Sequence, residues 1–130
     1  MAASQGIKIL IVDDEETIRH LIHNILSDAG YEPISAENAT QAYEAFDSQS
    51  PQLAVVDNFL PDYSGLELMQ KIRKTNQAIP LVMMTGVYLP AIEKKAEEAG
   101  CTHFIRKDEF EVNSFLKVVA DLLSKSQKSA

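Results

Sequence analysis

Ile7-Lys8-Ile9-Leu10-Ile11-Val12-Asp13-Asp14 is apolar at every position but Lys8 until two aspartates end it. A strand with one wet face alternates apolar and polar residues. A strand covered on both faces is apolar throughout, the pattern of a parallel sheet with helices on either side. Ile7–Val12 therefore reads as an inner strand whose carboxyl end is acidic. Leu53–Val56 and Ile79–Met84 read the same way, with His103–Ile105 as a further strand and Glu32–Ala36 as a weaker one.

The segments between these runs carry helical spacing. Ile18, Leu21, Ile22, Ile25, Leu26 and Ala29 recur at three and four residues, and Gly30 supplies the stop. Asn38 is placed to cap a helix through Ala39, Ala42, Tyr43 and Phe46. Ser64 and Glu67 form a capping-box pattern ahead of Leu68, Met69 and Ile72. Pro90 suits a first helical turn, on a helix that runs through Ala96 and Ala99 to Gly100. Val112, Phe115, Leu116, Val119, Leu122 and Leu123 mark a last amphipathic helix that fades into a polar tail. Strand then helix, five times over, predicts an α/β fold: a (βα)5 doubly wound parallel sheet of flavodoxin-like order 2-1-3-4-5, in three layers. Residues 1–130 read as one domain, with a core of about 6–124 and a tail of 125–130.

Composition narrows the function. The 130 residues hold 12 basic and 19 acidic side chains, a net charge of −7, which disfavours binding to nucleic acid or to an anionic membrane. A single cysteine, Cys101, rules out an internal disulfide and a cysteine-rich zinc site. No apolar run approaches the roughly 20 residues of a membrane span. The start, Met-Ala-Ala-Ser-Gln-Gly, does not read as a secretory signal, so a cytoplasmic protein is expected.

Ligand sites of open α/β sheets lie beyond the carboxyl ends of the strands. Asp13-Asp14 end the first strand, Asp57 the third, Thr85 the fourth and Lys107 the fifth. Three converging carboxylates repel one another, and a hard cation such as Mg²⁺ removes the conflict. One carboxylate is then free to attack phosphorus and form an aspartyl phosphate, with Lys107 and the cation stabilising charge on the phosphoryl group. Thr85 is placed to hydrogen-bond a phosphoryl oxygen.

The ordered set Ile-Leu-Ile-Val-Asp13-Asp14, Val-Val-Asp57-Asn-Phe-Leu-Pro61, Gly65, Met-Met-Thr85-Gly86 and Phe104-Ile-Arg-Lys107 resembles the receiver domain of two-component response regulators, over essentially the whole chain. It is similar to the stand-alone chemotaxis type. The resemblance implies that Asp57 is the phosphoacceptor and that Asp14 ligates Mg²⁺ directly, with Asp13 holding it largely through water. Asp57 and the Phe59 carbonyl complete the protein's ligands. It further implies that Lys107 pairs with Asp57 and then with the phosphoryl group, that Thr85 is the switch hydroxyl and that Phe104 is the aromatic that moves with it. Pro61 and Gly65 shape the loop after the third strand. The implied donor is a phosphohistidine on a sensor histidine kinase or a histidine phosphotransfer protein. The implied output is a changed surface on the fourth helix, fifth strand and fifth helix, around Pro90–Ala99 and Phe104–Leu122, read by a downstream protein target. Phosphorylation-dependent homodimerisation through that face is compatible with the resemblance. The protein is expected to be a signalling phosphoacceptor rather than an enzyme, with no output domain of its own within the 130 residues.

Five positions depart from the family pattern. Asp108 follows Lys107 where a proline after a cis bond is usual. A non-proline cis bond costs about 2.5–4 kcal/mol, so a trans bond and a different loop are expected. Asp108 is also expected to set a carboxylate beside Lys107. Phe59 and Val87, two residues after Asp57 and Thr85, are apolar where the family tunes phosphoryl loss, so neither can position an attacking water and slow autodephosphorylation is expected. Gly86 replaces a common alanine, and Phe104 lacks a tyrosine hydroxyl.

Plainer readings stand beside these. Asp13-Asp14-Glu15-Glu16 alone would be a solvated start to a helix, Asp57-Asn58 a turn, Thr85 a strand end and Lys107 a surface lysine. His20 and His23 lack the further ligands of a metal site. Cys101 reads as a packing residue, and Lys125 and Lys128 as solubilising charges. A phosphorylation-independent adaptor of the same fold is the alternative, with Asp108 as its support. A Mg²⁺ phosphatase is disfavoured because no Asp-x-Asp pair follows a strand.

Overall fold

Apolar strands followed by amphipathic helices set the topology. The computed structural model of the chain describes residues 6–129, with side chains as far as Lys125. The expected non-signal start, Met1–Gln5, the Lys128 side chain and Ala130 lie outside the described residues. Strand β1 (Lys8–Val12) leads to helix α1 (Glu16–Asp28), then β2 (Glu32–Ala36) and α2 (Ala39–Gln49). Next come β3 (Leu53–Val56), α3 (Gly65–Thr75), β4 (Leu81–Thr85) and α4 (Pro90–Glu98). Strand β5 (His103–Arg106) passes through a 3₁₀ turn (Lys107–Glu109) into α5 (Val112–Ser129). The five strands are parallel in the order β2-β1-β3-β4-β5, the order expected from the sequence.

Because side chains alternate along a strand, each inner strand feeds two cores. Leu10, Val12, Ala54, Val56, Leu81 and Met83 face Phe46, Leu68, Met69, Ile72 and Ala96 on one side. Ile9, Ile11, Val55, Val82 and Met84 face Ile22, Leu26, Phe115, Val119 and Leu123 on the other. Helices α2, α3 and α4 thus cover one face and α1 and α5 the opposite one, which makes three layers.

The caps fall where the residues called for them. Asn38 accepts the Gln41 N–H, and Ser64 with Glu67 forms a complete capping box. Gly30 and Gly100 adopt φ of 96° and 100° after α1 and α4, a conformation that glycine enters without steric cost. Boundaries differ at several ends: β1 begins at Lys8 rather than Ile7, β4 ends at Thr85 rather than Met84 and β5 ends at Arg106 rather than Ile105. β4 begins at Leu81 rather than Ile79, because Pro80 has no N–H for the ladder. α1 begins at Glu16, ahead of its first apolar residue, and α5 runs past Leu123 to Ser129, since nothing in the polar stretch breaks a helix. No helix among the described residues is long and apolar enough to cross a membrane.

Candidate phosphoryl-accepting site

The parallel ladder delivers two aspartates side by side. Val12, the last residue of β1, accepts the Asp57 N–H at 2.9 Å, so Asp13 and Asp57 leave adjacent inner strands at the same level. Both are buried, while Asp14 is exposed. One carboxylate oxygen from each of Asp13, Asp14 and Asp57 lies within 4.8 Å of the others.

The β1–α1 turn fixes Asp13 tightly. Its Oδ1 accepts the Glu15 N–H at 2.9 Å, and its carbonyl accepts the buried Arg19 guanidinium at 2.7 Å. Lys107, just past β5, reaches across the sheet edge to three carboxylates. Its Nζ lies 2.8 Å from Glu15 Oε1, 2.9 Å from Asp13 Oδ2 and 3.4 Å from Asp57 Oδ2. Burial disfavours the charged ammonium, yet hydrogen bonds to Glu15 and Asp13 and the charges of Asp57 and Asp13 hold its pKa above the usual lysine range. The Asp57 carboxyl is pushed up to about 6, first by burial and then by the charge of Asp13, while Lys107 and the Phe59 N–H pull it down.

The loop after β3 is held at both ends. Asn58 is buried; its carbonyl accepts the Gly65 N–H at 2.9 Å and its side chain the Leu66 N–H at 3.4 Å. A Cβ on Gly65 would stand 2.4 Å from the Asp57 carbonyl oxygen, so the close approach of α3 to the Asp57 backbone requires glycine. Asp62, not singled out from the sequence, accepts the Ala39 N–H at 2.9 Å, the Thr40 N–H at 2.8 Å and the Thr40 hydroxyl at 2.6 Å. These bonds outweigh desolvation and keep its pKa far below the usual carboxylate range. They tie the loop to the first turn of α2.

Thr85 is buried at the end of β4, and its hydroxyl closes on its own loop. It donates to the Val87 carbonyl at 3.2 Å and accepts the Val87 N–H at 3.3 Å. Phe104 is half-buried and meets the Tyr88 ring edge-on at 6.0 Å. The Arg106 guanidinium covers Tyr88 at 4.6 Å, and the Tyr88 hydroxyl donates to Glu93 at 2.9 Å. Phe59 and Val87 are 49% and 51% exposed, so each presents an apolar side chain to solvent.

After β5 the peptide bond agrees with expectation and the Asp108 carboxylate does not. No described peptide bond is cis, as expected for Lys107–Asp108. The Asp108 carboxylate, however, turns away from Lys107 to the Arg106 guanidinium at 3.2 Å, because consecutive residues of the 3₁₀ turn diverge. Glu15, read only as part of an acidic run, takes the place beside Lys107 instead. His20 is exposed, and His23 shares a 3.3 Å hydrogen bond with Ser35; among the described residues the two histidines form no ligand set with a third residue.

Asp13, Asp14, Asp57 and Glu15 gather at this edge around the ammonium of Lys107, and the charge of Asp13 adds to burial in raising the Asp57 pKa. Carboxylate oxygens are hard donors, and the cluster could hold a divalent cation of the Mg²⁺ type.

Residues 9–120 match the family model described as the response regulator receiver domain. The chain is 36% identical over 104 residues to the chemotaxis protein CheY1 of Helicobacter pylori, covering 77% of this chain and 84% of that protein. It is 28% identical over 130 residues to response regulator Rre1 of Synechocystis, covering 98% of this chain but 56% of that protein. The chain thus spans about half the length of some curated relatives. A CheY-like receiver domain protein from Methanospirillum hungatei superposes with a TM-score of 0.91 at 28% identity, covering 95% of this chain and 98% of that one.

Proposed function

The chain belongs to the response regulator receiver family, and from that premise we propose that it accepts a phosphoryl group on Asp57 from a phosphohistidine of a sensor kinase or phosphotransfer protein. The observation that carries this reading is the meeting of Lys107 with Asp57 and Asp13 at one sheet edge, beside a third carboxylate on Asp14. A buried carboxylate without a partner would simply be costly. One held against a lysine, in a pocket with surplus negative charge, is arranged to receive a cation and an electrophile.

Asp14, Asp57, the Phe59 carbonyl and, through water, Asp13 would hold Mg²⁺. When bound, the cation neutralises the carboxylates and lends positive charge to the transferring phosphoryl group. The Asp57 carboxylate is the nucleophile. Lys107 holds it in place and then follows the charge onto the phosphoryl oxygens. Thr85 gives up its contacts within the β4–α4 loop to hydrogen-bond a phosphoryl oxygen. Phe104 moves as the loop moves, and the surface of α4, β5 and α5 changes for a downstream protein. We take residues 6–124 as the receiver core and the protein as cytoplasmic. Asp108, the residue that spoke for a phosphorylation-independent adaptor, is turned onto Arg106 and leaves Lys107 to the acidic site.

Beryllofluoride with Mg²⁺, a stable mimic of the phosphoryl group, tests the reading by amide NMR. The wild type is expected to shift around Asp57 and along Gly86–Leu89, and Asp57→Asn is expected not to respond. A response from both, or from neither, contradicts it.

A further inference from the structure

Lys107 has three carboxylate partners, and only one of them faces solvent. The Asp13 and Asp57 side chains are 6% and 5% exposed, and that of Glu15 is 61% exposed. Glu15 nevertheless makes the shortest contact, 2.8 Å, against 3.4 Å for Asp57. Asp13 holds the ammonium at 2.9 Å, so the lysine sits closer to Asp13 and Glu15 than to the phosphoacceptor, and of these two only Glu15 sets an exposed carboxylate beside it. The turn fixes the Glu15 backbone next to the site, its N–H donating to Asp13 Oδ1 at 2.9 Å.

We propose that Glu15 is a charge gate and positioning residue that discriminates among phosphodonors by their negative charge. It repels small dianionic donors more than monoanionic ones, and a protein donor can neutralise it with a basic side chain of its own. The inference rests on Asp57 being the phosphoacceptor. In the step concerned, an Asp57 carboxylate oxygen bonds to phosphorus as the bond from phosphorus to the leaving atom breaks. Acetate departs from acetyl phosphate, and ammonia from phosphoramidate, each with the electron pair.

The test compares rates of labelling of the full chain with Mg²⁺ by acetyl phosphate, a dianion, and by phosphoramidate, a monoanion near neutral pH. Glu15→Gln keeps the side chain's length and loses its charge; Glu15→Asp keeps the charge. At low salt, Glu15→Gln is expected to react about three- to tenfold faster with acetyl phosphate and to gain less with phosphoramidate. Both gains should shrink as added salt screens the site. Glu15→Asp should stay close to wild type, and the Lys107 ammonium resonance of the metal-free protein should move in Glu15→Gln. The gate is overturned if Glu15→Gln is no faster than wild type, if both donors gain equally at every salt concentration, or if Glu15→Asp behaves like Glu15→Gln. A wild type that neither donor labels overturns the phosphoacceptor reading itself, which is a different result from a labelled wild type with an indifferent Glu15.

Discussion

Asp57 is ionised at a cost. Its folded pKa, about 6, lies above the ordinary aspartate value, so between about pH 4 and 6 the folded protein holds a proton that the unfolded chain has released. Stability that is present below about pH 4 is therefore lost as pH rises through about 6. Asp57→Asn removes the penalty. In urea unfolding at pH 7 without divalent cation, the variant should be more stable by as much as about 3 kcal/mol, with the difference closing by pH 4. An Asn variant less stable than wild type at pH 7 would count against this view of the site. On the proposed reading Phe59 and Val87 would set the lifetime of the phosphoryl group: both are half-exposed and neither carries a group to orient water. The acyl phosphate should therefore outlast a simple mixing experiment in Mg²⁺, and Phe59→Asn should shorten its life; a wild-type label gone within seconds contradicts this. At this scale the sequence was legible wherever a side chain stood at a strand's end, as with Asp13, Asp57, Thr85 and Lys107. It was not legible where reach mattered. Glu15 among four consecutive acids looks interchangeable with its neighbours, and only the turn's hydrogen bonds choose it over Asp108.

The loop between β3 and α3 shows how elements hold the site. Asn58 and Gly65 close it on the core side, and Asp62 pins it to α2. Gly65 is needed for proximity rather than for a special φ. A methyl there meets the Asp57 carbonyl, whereas at Gly86 it would meet only Lys107 Cδ at 3.5 Å, an ordinary contact. Gly65→Ala should therefore cost about 1–3 kcal/mol and weaken the response to beryllofluoride. Gly86→Ala should change stability by less than about 1 kcal/mol. Thermal unfolding of the two variants checks the contrast, and equal effects would contradict it. The caps of α2 and α3 were readable because Asn38, Ser64 and Glu67 act within one helical turn. The Asp62 tie and the Tyr88 contacts with Phe104, Arg106 and Glu93 were not, because they join elements that only the folded topology brings together.

Across the molecule, the parallel order β2-β1-β3-β4-β5 makes chemistry out of acid scattered along the chain. It sets the ends of β1 and β3 side by side and swings Lys107 from beyond β5 over both. The strand order was expected from five alternating strand–helix units, and the apolar runs predicted burial on both faces of the sheet, where the two cores lie. The surplus charge left at the sheet edge is what a phosphoryl group and its cation would use, and that gives the central claim a direct test. After incubation of the wild type with acetyl phosphate and Mg²⁺, borohydride reduction converts an aspartyl phosphate to homoserine, which peptide mass spectrometry locates. Homoserine at position 57, lost in Asp57→Asn and on omission of Mg²⁺, is the expected result; homoserine at another aspartate, or at none, would contradict it.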